Sequence, residues 1–139
     1  MSWITLRTAI KTKLDTLTGL GQISDYFHSN ITSYPAVMFE PSDDPSGFFT
    51  NTENEHVYTY DLFVIQECES TATGRQAAIR ILGNAIDTVV NAFDSYQTLG
   101  GACEYTEPMV SSWNTANTAN GIVVYGRITL KCHKLKTVT

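Results

Sequence analysis

His56-Val57-Tyr58-Thr59-Tyr60-Asp61-Leu62-Phe63-Val64-Ile65-Gln66-Glu67 alternates along its whole length. Tyr58, Tyr60, Leu62 and Val64 share one face; Val57, Thr59, Asp61, Phe63 and Ile65 share the other. A two-residue period in a segment rich in aromatic and β-branched side chains is the signature of a strand. Both faces turn apolar toward its end, so this strand is expected to be central in a sheet.

The segment that follows changes period. Over Ala72 to Asp94, Ala78, Leu82, Ala85, Ile86, Val89 and Phe93 recur at helical spacing, widened by Ile79 and Val90. They form one apolar stripe on a long helix free of proline. Thr73 is a candidate cap, and Gly83 a candidate point of close crossing over the sheet. A second helix opens the chain. Behind Ser2 as N-cap, Trp3, Leu6, Ile10, Leu14 and Leu17 fall three and four apart over residues 3 to 17, and Gly19 and Gly21 stop it.

Shorter strands fill the rest. Gln22 to Phe27 reads as one, and Tyr34 to Pro41 as another, bounded by prolines that cannot donate to a ladder. After the Leu99-Gly100-Gly101 turn, Ala102 to Pro108 reads as a strand. Ile122 to Leu135 closes the chain, with Val124, Gly126, Ile128, Leu130 and Cys132 inward and Val123, Tyr125, Arg127, Thr129, Lys131 and His133 outward. Two stretches of 13 residues, 42–54 and 109–121, read as long polar loops. Loops of that length tend to be functional or ordered by a partner. The expected architecture is a single α+β domain over residues 1–139, a mostly antiparallel sheet with both helices on one face.

Composition narrows the function. At 139 residues the chain can bury a core without staples. Charged residues make up only 17%, below the roughly 25% usual for soluble domains, and Thr, Ser and Asn replace them. A weakly repelling surface of this kind suits a subunit that packs against its own copies. The net charge of −5 argues against a nucleic-acid affinity module. No Lys or Arg lies between Lys13 and Arg75, a span that holds ten of the 14 acids, whereas the C-terminal end carries Arg127, Lys131, Lys134 and Lys136. Acidic middle and basic end could form complementary patches between subunits, or an acidic wall could face a channel. Cys68, Cys103 and Cys132 are odd in number and widely spaced, which points to free thiols in a reducing cytoplasm. No apolar run is long enough to span a membrane.

Catalytic signatures are lacking in the sequence. Leu99-Gly100-Gly101 precedes a strand and not a helix, unlike a phosphate-binding loop. Cys132 and His133 are neighbours that alternation sends to opposite faces, which is wrong for a metal site. His28, His56 and His133 read as surface residues. Asp43 with Asp44, and Glu53 with Glu55, lie in or beside a loop and read as solvated acids rather than a placed catalytic pair. No enzyme, cofactor or metal is expected. Phe48 and Phe49, adjacent in a polar loop, need a surface to cover them, either their own core or a neighbouring subunit.

The order of these pieces resembles the tail terminator, or tail completion, family of long-tailed phages, to which the lambda tail terminator belongs. The features are the opening helix with Leu6-Arg7-Thr8-Ala9-Ile10 and Leu14, then Leu17-Thr18-Gly19-Leu20, and the strand Tyr34-Pro35-Ala36-Val37 before an Asp-rich loop. After them come the Tyr-x-Tyr-x-Leu-x-Val strand from Tyr58 to Val64, the long helix leading to Leu99-Gly100-Gly101, a strand ending at Pro108, and the closing strand Ile122 to Cys132. The resemblance covers nearly the whole chain as a pattern. It implies an α+β virion structural protein that forms a hexameric ring on the head-proximal end of the tail. Such a ring halts polymerisation of the tail tube protein and then docks the head–neck connector protein. DNA passes through its channel without specific binding, and assembly takes place in the host cytoplasm. A subunit that is monomeric in solution is compatible with this, because the tube can template the ring. On this reading residues 42–54 and 109–121 make the partner contacts, with Phe48, Phe49 and Trp113 as anchors. Asp43, Asp44, Glu53 and Glu55 then face the lumen or a partner, and Arg127 and Lys131 supply the basic patch. The alternatives are another neck, head-completion or tube protein and, from a different class, a small enzyme or ligand-binding domain.

Overall fold

A computed structural model describes residues 2–28, 30–42, 49–51, 55–95, 98–103, 105–118 and 121–135. The chain runs α1 (Ser2–Asp15), β1 (Ile23–Ser24), β2 (Ala36–Pro41), β3 (Phe49–Asn51), β4 (Glu55–Cys68), α2 (Ala72–Ser95), a short 3-10 turn (Leu99–Gly101), β5 (Tyr105–Thr118) and β6 (Gly121–Leu135). The strands form one sheet in the order β1-β2-β4-β6-β5, with β3 also paired to β4. Every pairing is antiparallel except the two-residue contact of β1 with β2.

The 56–67 strand is central, as its two-faced pattern implies: β4 lies between β2 and β6. One face carries Tyr58, Tyr60, Leu62 and Val64, and both helices cover it. Leu6, Ile10 and Leu14 of α1 and Ala78, Leu82, Ala85, Ile86, Val89 and Phe93 of α2 join them in one core, with Ile128, Leu130 and Cys132 from β6. Fully burying each large apolar side chain contributes about 1.5–3 kcal/mol, so this face dominates stability. Trp3 meets Tyr58 and Tyr60 edge-on, and the Tyr60 hydroxyl donates to the Trp3 carbonyl at 2.7 Å. Burial pushes the Tyr60 hydroxyl well above the usual tyrosine range.

Among the described residues no helix covers the opposite face. The segment after β1 folds over part of it, placing Phe27 against Phe63 at 5.1 Å and Phe63 against Tyr125 at 5.8 Å. Met38, Ile65 and Val123 form a second, smaller core there.

Four expectations change. The 109–121 segment is not a loop: β5 continues to Thr118 and pairs with β6 along its length, with Thr118 opposite Gly121 at the end of the hairpin. Its Ser, Thr and Asn content suits an edge strand, where one side of the backbone stays in water. Phe49, placed by sequence in a loop, begins β3 opposite Tyr58. The cap of α2 is Thr71, not Thr73, since the Thr71 hydroxyl accepts the Gly74 amide at 2.9 Å. The close crossing expected at Gly83 belongs to Gly126. A Cβ on Gly126 would collide with Ile86 of α2, whereas one on Gly83 would only touch Trp113 at 3.8 Å.

Candidate interaction surfaces

Asp43, Asp44, Phe48 and Glu53 lie outside the described residues. Phe49 opens β3, and Glu55 opens β4 opposite Leu135 at the end of β6. The other three predicted residues do not converge. Trp113 sits opposite Gly126 on the helix-covered side, while Arg127 and Lys131 lie on the open face.

A bulge decides where Trp113 points. The register shifts between Val110 and Ser112, so Val110 opposes Ile128 and Trp113 opposes Gly126. Both side chains therefore stand on the helix side, at the free edge of the sheet. Trp113 is 47% exposed and lines a cleft with Arg75 and Ile79 of α2, where Arg75 donates to the Thr115 hydroxyl at 3.1 Å. Met109 on the other face is 63% exposed. Among the described residues no strand pairs with the outer edge of β5.

Arg127 is not a free cation. Its guanidinium donates to Asp61 Oδ2 at 2.8 Å, and Asp61 is only 2% exposed. Arg127 Nε and Asp61 Oδ1 are buried without a hydrogen-bond partner, so the pair is joined through one bond only. Lys131 is exposed, opposite Thr59 on β4 and Glu107 on β5.

His133 overturns its surface reading. It is buried on the open face, stacks on Tyr105 at 4.2 Å and contacts the Glu107 carboxylate, because β5 places both residues beside it. His28 is half-buried and engaged locally: Ser24 Oγ lies 2.8 Å from its Nε2, and its Nδ1 accepts the Asn30 amide at 3.2 Å. Cys132 and His133 do face opposite ways, Cys132 into the main core. The Cys132 thiol is pushed up by its hydrogen bond with Cys103 and then by burial, which makes it a poor nucleophile. Cys68, Cys103 and Cys132 form no disulfide.

Two concave features were not anticipated. A hollow of about 330 Å³ on the open face is lined mainly by Phe27, Ile31, Tyr34, Phe63, Val123 and Tyr125. Its signal in the sequence was the apolar content of the supposedly outward positions Phe63, Val123 and Tyr125. A second, about 460 Å³, lies where β4 ends and α2 begins, and includes Gln66, Glu67, Glu69, Thr71 and Gly74. Among the described residues no cluster of His, Cys, Asp and Glu could hold a metal ion, and no helix is long and apolar enough to cross a membrane. Compared with known protein families and with curated proteins, the chain matches none.

Proposed function

We propose that this protein is a virion structural subunit, a tail terminator of a long-tailed phage that forms a ring on the tail tube. The observation that carries the reading is the uncovered edge of β5, fourteen residues long, with Met109, Val110 and Trp113 exposed beside it. A long edge with apolar side chains and one charge, Glu107, is a surface that invites pairing unless a partner covers it. Pro108 and the bulge at Ser111 interrupt that edge but leave the Ser112–Thr118 half regular. The sequence resemblance supplies the identity of the partners: copies of the same subunit, the tail tube protein and the head–neck connector protein. The α+β fold is the fold class which that resemblance implies. The role requires no catalytic step.

The aromatic hollow on the open face favours a second reading, a ligand-binding domain. Its lining is chiefly apolar, and His28, its one imidazole, is held by Ser24 and Asn30. A binding site usually adds a few convergent polar groups to such a lining. The hollow therefore suits an apolar anchor of a partner better than a reacting substrate.

The deciding experiment adds purified protein to assembling tail tubes and images them by negative-stain electron microscopy. Tubes of defined length with a capped end are expected. Tubes that grow unchecked and uncapped would sink the reading and point to head closure or to a ligand role.

A further inference from the structure

The cleft between α2 and the β5 edge combines a cation with an exposed apolar wall. It measures about 280 Å³ and is lined by Arg75 and Ile79 of α2 and by Trp113 and Thr115 of β5. Trp113 reaches it because the bulge before Ser112 turns the indole to the helix side, where the ring tip lies beside Gly83. Ile79 is 38% exposed and Val110, on the same side of β5, is 41% exposed. Arg75 gives one N–H to Thr115 and forms no ion pair among the described residues. Glu69 lines an adjoining recess with it, but no ion pair joins the two. Tryptophan and arginine side by side in a recess are the residue types that anchor interfaces, and both attract an aromatic ring.

The opposite edge of the sheet carries the complement. Tyr26 follows β1 and is 58% exposed, the most exposed aromatic side chain among the described residues. Beside it, Glu40 accepts the Phe27 amide through one oxygen and is in no ion pair among the described residues. No Lys or Arg lies between Lys13 and Arg75, so β1, β2, β3 and β4 carry none to neutralise Glu40. Asp25, the neighbouring acid, is already held by Arg7. One edge thus presents an exposed aromatic ring beside an unpaired acid. The other presents an apolar cleft beside an unpaired base. Within one copy β2, β4 and β6 separate the two edges, by about 19 Å at roughly 4.8 Å per strand. Unlike patches at opposite edges meet head to tail between copies, the kind of interface that closes into a ring. A two-fold pairing of β5 edges would leave Tyr26 and Glu40 uncovered.

We propose that the cleft of Arg75, Ile79 and Trp113 receives Tyr26 from a second copy of this chain, with Arg75 pairing to Glu40 of that copy. This rests on the ring-forming reading above and specifies which surfaces meet. The incoming phenol ring covers Trp113 and Ile79, and the guanidinium donates to the carboxylate beside it.

The test places the photoreactive p-benzoylphenylalanine at position 26, an exposed site where a larger ring leaves the fold intact. In assemblies mixed from isotopically light and heavy copies, irradiation should join position 26 of one copy to residues 75–79 or Trp113 of another. Two variants measure the energetics. Arg75→Glu sets a carboxylate against Glu40, and Tyr26→Ala removes the ring; both positions are exposed, so both variants should fold. For each, the concentration needed for association, on tubes or in solution, should rise about tenfold. Either variant associating like wild type would overturn the contact. So would tube-capping rings whose cross-links from position 26 lie elsewhere, which leave the terminator reading intact. Rings cross-linked at the cleft that fail to cap tubes would keep the contact and overturn the terminator. No association under any condition, tubes included, would overturn both.

Discussion

Asp61 and Arg127 show what a single pair does in this sheet. They stand 66 positions apart, and only the β4–β6 register brings the buried carboxylate to the guanidinium. Removing Arg127 strands a charge that is almost wholly enclosed. Arg127→Ala should lower stability by about 3 kcal/mol, the low end for a buried pair because the Arg side remains partly wet. Asp61→Asn combined with Arg127→Ala should cost less than Arg127→Ala alone, and denaturant titration of the variants checks the order. Tyr60 sets an alkaline limit. Its folded-state pKa is raised by burial, so its share of stability is full below the ordinary tyrosine value of about 10 and falls as pH climbs above it. Tyr60→Phe should lower stability at neutral pH by about 1 kcal/mol through the lost bond to Trp3, yet flatten the decline above pH ~10. A decline as steep as in wild type would show that other groups set it. Neither role was legible beforehand. Alternation assigned Asp61 to a face, but pairing depends on which strand lies alongside.

Among the elements, the helices and β4 were readable because their patterns are local. Three- and four-residue spacing placed α1 and α2 to within about two residues, and period-two alternation placed β4. β5 was not readable past Pro108. Asn is depleted in strands and offsets the two Thr, so the local preference is mixed, and the strand exists because β6 offers a complete ladder beside it. One usable signal was passed over: Asn120-Gly121, a hairpin dipeptide between two candidate strands. The fit of α2 on the sheet is tested at Gly126. Gly126→Ala pushes a methyl group into Ile86 and should destabilise by about 1–2 kcal/mol. Ile86→Val removes the colliding Cδ1, so the double variant should be more stable than the sum of the single losses predicts. Thermal denaturation of the four proteins measures that coupling.

At the scale of the whole molecule, the two faces of the sheet differ. The helix-covered face supplies stability, and the function we propose assigns the open face and the β5 edge to partners. Met109→Lys with Trp113→Ser alters only exposed or half-exposed side chains of that edge, so stability should move by less than about 1 kcal/mol. The fraction of capped tubes should nonetheless fall several-fold, because an edge bearing Lys resists pairing. Normal capping by that variant would remove β5 from the contact surface.

By itself the sequence determined what depends on near neighbours: two amphipathic helices, a central two-faced strand, a closing half-buried strand, and hence an α+β domain with both helices on one side. It also determined the separation of acidic middle from basic end. Only the tertiary structure decided that residues 109–118 are strand, that Arg127 is bound by Asp61, that His133 is buried, and that Lys131 and Lys134 stand at the opposite end of the sheet from Glu67. The physical reason is common to all four. Backbone ladders and ion pairs draw their energy from groups distant in sequence, so their presence is set by strand order and register, which no local period encodes.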